Sequence, residues 1–91
     1  MGVDTRHYVD FRKGAHDAYI YGPGSDGEYY LHEQGRYACI YGPGQNGEYY
    51  IDWRGRYGYI YGPGQNGDYY IDRRGRYGYI HGPTIQPPWI G

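Results

Sequence analysis

The chain has 91 residues, of which 18 are Gly and 16 are Tyr; 9 Lys and Arg against 10 Asp and Glu leave a formal charge of −1. That balance argues against broad electrostatic capture of nucleic acid or of an anionic membrane, and no stretch approaches the roughly 20 apolar residues of a membrane helix. Ile, Leu, Val and Phe together number only 12, so a folded core must draw on phenol rings, each removing on the order of 150–250 Å² from water when buried.

Met1–His7 lacks the apolar run of a signal peptide. Localisation is left open, with the cytoplasm as the default expectation. His7-Tyr8-Val9-Asp10 then begins a worn copy of a pattern that dominates the rest of the chain. Ile20-Tyr21-Gly22-Pro23, Ile40-Tyr41-Gly42-Pro43, Ile60-Tyr61-Gly62-Pro63 and Ile80-His81-Gly82-Pro83 recur at a spacing of 20. Residues 40–59 and 60–79 agree at 18 of 20 positions, and residues 20–39 agree with 40–59 at 12. The spacing gives one domain over 1–91, with units at about 7–22, 28–42, 48–62 and 68–82 and a tail over 83–91. The first unit carries a two-residue insertion.

Each unit reads as a β-hairpin. Glu48–Asp52 is a run of strand formers, Trp53-Arg54-Gly55 a turn, Arg56–Tyr61 a second strand, and Gly62–Gly67 a long connection to the next unit. Pro-Gly and Asn-Gly in one connection are strong breakers, because Gly and Asn accept φ > 0 and Pro fixes φ near −65°. A three-residue loop with Gly55 left-handed sets Asp52 opposite Arg56, Ile51 opposite Tyr57 and Tyr49 opposite Tyr59. One face then carries Tyr49, Ile51, Tyr57, Tyr59 and Tyr61, and the other Tyr50 and Ile60. A two-residue Arg54-Gly55 turn shifts the pairing by one. The fold class expected is all-β, tandem 20-residue hairpins stacked as a small meander or β-solenoid, because a lone hairpin buries too little to be stable. The Pro-rich tail is expected to bring Trp89 back as a lid.

Nothing in the pattern points to an enzyme. A row of copies is poorly suited to supply one unique constellation, and His7, His16, His32 and His81 lack metal-ligand spacing. Cys39 reads as a small filler in place of a sister Tyr. The recurring carboxylates read as cross-strand partners of Arg36, Arg56 and Arg76. No catalytic residue, metal ligand or cofactor is expected.

Tyr49-Tyr50-Ile51-Asp52-Trp53-Arg54-Gly55-Arg56-Tyr57, with an aromatic at 61 and a Gly at 67, resembles the 20-residue hairpin repeats of choline-binding and glucan-binding surface proteins. The resemblance covers residues 28–83 and implies a solenoid whose neighbouring aromatics contact choline or glucan. The site residues it implies are Tyr29, Tyr30, Tyr41, Tyr49, Tyr50, Tyr61, Tyr69 and Tyr70. This sequence departs from those repeats in lacking their Gly-Trp pair. The same segment is also similar to the tyrosine-aspartate repeats of bacterial shell and toxin proteins, sharing the first Tyr, the Asp, the Gly and the Arg.

The function expected is therefore non-enzymatic recognition of a carbohydrate or cell-surface polymer by exposed tyrosines, since sugars and quaternary ammonium groups stack on aromatic faces and repeated weak sites act together. A structural, self-assembling homo-oligomer is the first alternative. Binding of single-stranded nucleic acid through the interleaved Arg and Tyr of Arg54–Tyr57 and Arg73–Tyr77 is the second; it ranks lower because two carboxylates per unit offset the positive charge.

Overall fold

Gly-Arg and Pro-Gly corners alternate along the chain, and each reverses it tightly. In the computed structural model, which describes residues 3–90, the result is eight strands: β1 Val3–Phe11, β2 Asp17–Gly22, β3 Ser25–Gln34, β4 Tyr37–Gly42, β5 Gln45–Arg54, β6 Tyr57–Gly62, β7 Gln65–Arg74 and β8 Tyr77–Gly82. Consecutive strands pair antiparallel, and β1 pairs with β8, closing the sheet into a barrel. The all-β hairpin expectation holds. The stacked meander or solenoid does not: the first and last units meet each other. Eight strands are the number at which side chains just fill a barrel interior, and closure gives each of the eight a neighbour on both sides.

The register also differs from the expected one. Arg54 pairs with Tyr57, Asp52 with Tyr59, Ile51 with Ile60 and Tyr50 with Tyr61. The turn is Gly55-Arg56, with Gly55 at φ 62° as its first central residue, the place where a two-residue hairpin turn of the II′ kind uses Gly. Asn66-Gly67 lies inside β7 rather than in a long connection. Gly62 pairs with Gln65 across Pro63-Gly64, and a bulge between Tyr59 and Tyr61 takes up the extra residues of β7. Tyr57, Tyr59 and Tyr61 consequently face outward with Tyr50, and Ile60 faces inward with Ile51.

Each strand gives one aliphatic side chain to the central layer: Val9, Ile20, Leu31, Ile40, Ile51, Ile60, Ile71 and Ile80, all fully buried. They form four cross-strand pairs, Val9–Ile20, Leu31–Ile40, Ile51–Ile60 and Ile71–Ile80. Toward the Pro-Gly corners the next layer is His7, Tyr29, Tyr49 and Tyr69. Each of these rings lies over a Gly of the neighbouring strand; a Cβ on Gly62 would fall 2.7 Å from Cδ2 of Tyr49. The buried His7 ring bridges the Thr5 carbonyl at 2.9 Å and the Pro23 carbonyl at 2.6 Å.

The tail returns into this end of the barrel. Trp89 is 1% exposed, and its ring centroid lies 5.8 Å from that of Tyr49 and 5.3 Å from that of Tyr69. At the Gly-Arg end the equivalent layer is Phe11, Glu33, Trp53 and Arg73. Arg73 crosses the barrel end with its guanidinium carbon 3.9 Å from the Phe11 ring centroid and a nitrogen 3.6 Å from Glu33.

Candidate functional site

Outward residues of the strands form a belt of rings around the barrel. Within the hairpins, Tyr8 stacks on Tyr21 at 5.5 Å, Tyr30 on Tyr41 at 5.7 Å, Tyr50 on Tyr61 at 5.6 Å and Tyr70 on His81 at 5.3 Å. Between hairpins, Tyr19 meets Tyr30 at 6.0 Å and Tyr59 meets Tyr70 at 6.2 Å; Cys39 occupies the sister position beside Tyr50. Offset arrangements of this kind are the favoured geometry of neighbouring aromatic rings.

The eight tyrosines singled out from the sequence thus fall into two sets. Tyr30, Tyr41, Tyr50, Tyr61 and Tyr70 belong to the outer belt. Tyr29 and Tyr69 are buried, and Tyr49 packs against the core. The geometry adds rings outside those eight, Tyr19, Tyr21 and Tyr59 in the belt and three more that meet in one place. Tyr8, Tyr77 and Tyr79, exposed by 38%, 38% and 42%, line a cleft of about 270 Å³ where β1 meets β8. Nothing local in the sequence marks them, since Tyr8 is separated from Tyr79 by nearly the whole chain and only closure brings them together.

The rim beyond this belt is charged in a regular way. Arg36 donates to Asp52 at 2.7 and 3.1 Å, and Arg76 donates to Asp10 at 2.7 and 3.1 Å. Arg56 makes the same paired contact with Asp72. Each carboxylate also meets the Arg two residues on: Arg12, Arg54 or Arg74. At the remaining junction a different pair stands, with His32 Nδ1 2.7 Å from Asp17. The hydrogen bonds from Arg76 and Arg36 hold the carboxyls of Asp10 and Asp52 below the usual range, and that from Arg56 holds Asp72 down to about 2. Arg36, Arg56 and Arg76 lie over the rings of Tyr37, Tyr57 and Tyr77 at 5.4, 5.4 and 5.3 Å.

Among the described residues, eight of the nine Lys and Arg stand at this Gly-Arg end with five carboxylates, Asp10, Asp17, Glu33, Asp52 and Asp72, a formal +3. The Pro-Gly end has Arg6 against Asp4, Asp26, Glu28, Glu48 and Asp68, a formal −4. A near-neutral composition therefore conceals a strongly polarised barrel. No group of three or more His, Cys, Asp or Glu among the described residues is placed to hold a metal ion. Comparison with protein-family models, curated proteins and solved structures finds no match to the chain.

Proposed function

We propose that the chain is a non-enzymatic binding module that takes a carbohydrate or cell-surface polymer on its outward tyrosines, with the Tyr8–Tyr77–Tyr79 cleft as one subsite. The observation that carries this reading is the belt of part-exposed outward rings, three of which meet in that cleft. A sugar ring offers an apolar C–H face to an aromatic surface and hydroxyls at its edge. Both are matched here, because the Arg–Asp pairs along the rim supply donors and acceptors beside the rings. Rings already held by neighbours lose little freedom on binding, which favours affinity.

Glycan-array screening followed by titration tests the reading. Tyr79→Ala is expected to weaken sugar binding by about 1 kcal/mol or more while the thermal melt stays that of a folded barrel. Absence of saturable sugar binding, or binding indifferent to Tyr79→Ala, overturns it.

The opposite charges of the two barrel ends favour a second reading, self-association of copies end to end. Salt screens exposed charges within about 10 Å at 0.1 M. Association driven this way is expected to appear in sedimentation at low salt and to vanish as salt is raised.

A further inference from the structure

The belt repeats around the barrel, but one feature of the charged rim does not. The β1–β2 connection runs through Arg12, Lys13, Gly14, Ala15 and His16, where the other hairpins turn in two residues. This insertion walls a cavity of about 530 Å³ lined by Phe11, Arg12, Lys13, Arg73, Gly75 and Arg76. Four cations surround it. Two carboxylates answer them: Asp10 is shared by Arg12 and Arg76, and Glu33 meets Arg73. Among the described residues no carboxylate pairs with Lys13. The cavity therefore keeps an excess positive charge that its own walls do not neutralise. It also adjoins the aromatic cleft, because Arg76 lies over Tyr77 and Tyr77 meets Tyr8 at 5.9 Å.

We infer that this cavity holds an acidic substituent, a carboxylate or a sulfate or phosphate ester, of the sugar chain whose rings lie on Tyr8, Tyr77 and Tyr79. The inference rests on the carbohydrate reading above and narrows it to acidic polysaccharides. Lys13 and the free edges of the Arg12, Arg73 and Arg76 guanidinium groups supply charge-assisted donors to the anion. The Phe11 ring holds Arg73 in place and contributes an apolar wall. Tyr77 joins the two subsites, so one chain can fill both.

The test uses the full chain with tetragalacturonate, its neutral methyl ester, a sulfated tetrasaccharide and a short oligothymidylate, measured by calorimetry at two salt concentrations. The wild type is expected to bind an acidic sugar more tightly than the ester. Lys13→Glu is expected to weaken the acidic sugar by on the order of tenfold and leave the ester unchanged. Lys13→Gln should give an intermediate loss, and thermal melts of both variants check that the barrel is intact. Preference for carboxylate or for sulfate identifies the substituent, and either supports the inference. Equal binding of acid and ester, or an acidic sugar indifferent to Lys13→Glu, overturns it; ester binding that Tyr79→Ala still weakens would then leave the carbohydrate reading standing. Acid binding that responds to Lys13→Glu but not to Tyr79→Ala supports the anion cavity and removes the aromatic cleft. Silence with every sugar overturns both readings, and tighter binding of the oligothymidylate overturns them in favour of nucleic acid.

Discussion

Tyr49 and Tyr50 are adjacent, chemically identical and repeated as Tyr29-Tyr30 and Tyr69-Tyr70, yet the first of each pair points into the barrel and the second out of it. What separates them is the residue across the ladder. Tyr49 lies over Gly62, whose missing side chain leaves room for the ring, whereas Tyr50 faces Tyr61 and stacks on it. Successive strand residues must alternate, so one ring closes the core and the next is presented to solvent. In a chain with so few aliphatic residues the same residue type serves both purposes. Only position in the ladder tells inner rings from outer ones.

Removing an inner ring should have the largest effect. Tyr69 is 4% exposed, packs on Trp89 and hydrogen-bonds through its hydroxyl to Thr84. Tyr69→Ala is expected to cost about 3–5 kcal/mol, as for other buried aromatic residues cut to Ala, and to release the tail from the barrel end. Urea unfolding measures the first effect and Trp fluorescence the second. If Tyr69→Ala proves no worse than Tyr70→Ala, the distinction between inner and outer rings is lost.

The glycines opposite the inner layers give the next effect in size. A Cβ on Gly58 would lie 2.6 Å from Cγ2 of Ile51 and 2.6 Å from the Trp53 ring. Gly58→Ala should therefore overpack the Gly-Arg end and cost about 1–3 kcal/mol. The second unit already carries Ala at the equivalent position, Ala38, where the paired residue is Glu33 rather than Trp53. Gly58→Ala combined with Trp53→Glu should recover the part of the loss due to the Trp53 ring, because the second change relieves a contact the first creates and the two are not additive; the contact with Ile51 remains.

These couplings explain what was legible in the sequence. The period of 20, the hairpin character of each unit, the breakers at Pro63-Gly64 and the return of Trp89 are local signals, and the structure contains them all. The faces of the second strands are not legible locally, because register depends on where the turn begins. Gly55 fits the last position of a three-residue loop and the first position of a two-residue one equally well by residue type. The deciding fact is tertiary: Gly58 and Gly62 leave space only if they face the inner rings. Closure was hidden for a similar reason. It joins Tyr8 to Tyr79 and Arg76 to Asp10 across most of the chain, and the worn first unit masks their equivalence to the other junctions. Those same contacts build the aromatic cleft and the cationic cavity, so the candidate site was the least visible part of the molecule.

Acid should act on the rim and leave the inner layers intact. The Asp72 carboxyl is held down from 3.8 to about 2, chiefly by hydrogen bonds from Arg56. A depressed carboxyl stabilises the fold fully above its unfolded value of 3.8, and this contribution is lost as pH falls from there through about 2. Asp10 and Asp52 shift in the same direction through Arg76 and Arg36. Glu28 and Glu48 do so at the opposite end, through the backbone N–H groups of Asp26 and Asn46. The carboxylate contribution to the melting temperature should therefore be constant above about pH 5 and be lost as pH falls through the unfolded values of 4.5 for Glu and 3.8 for Asp. Asp72→Asn should lower the neutral plateau and make the acid drop shallower. An unchanged drop would mean that the junction ion pairs do not contribute to closure.

The smallest expected change in stability comes from an outer ring beside an inner one. Tyr50 is 39% exposed and loses, on truncation, its contacts with Tyr61 at 5.6 Å and Tyr37 at 6.1 Å. Cross-strand and aromatic pairs of this kind contribute roughly 0.5–1 kcal/mol, and water takes the place of the ring without leaving a cavity. Tyr50→Ala should thus shift the unfolding midpoint only slightly, whereas Tyr49→Ala beside it should shift it by several times more. Measured together with sugar affinity, the pair separates the two uses of tyrosine: Tyr50→Ala should weaken binding in a barrel of nearly normal stability, and Tyr49→Ala should weaken it only in proportion to the fraction unfolded. If Tyr50→Ala unfolds the barrel as readily as Tyr49→Ala, the belt supports the fold rather than presenting a binding surface.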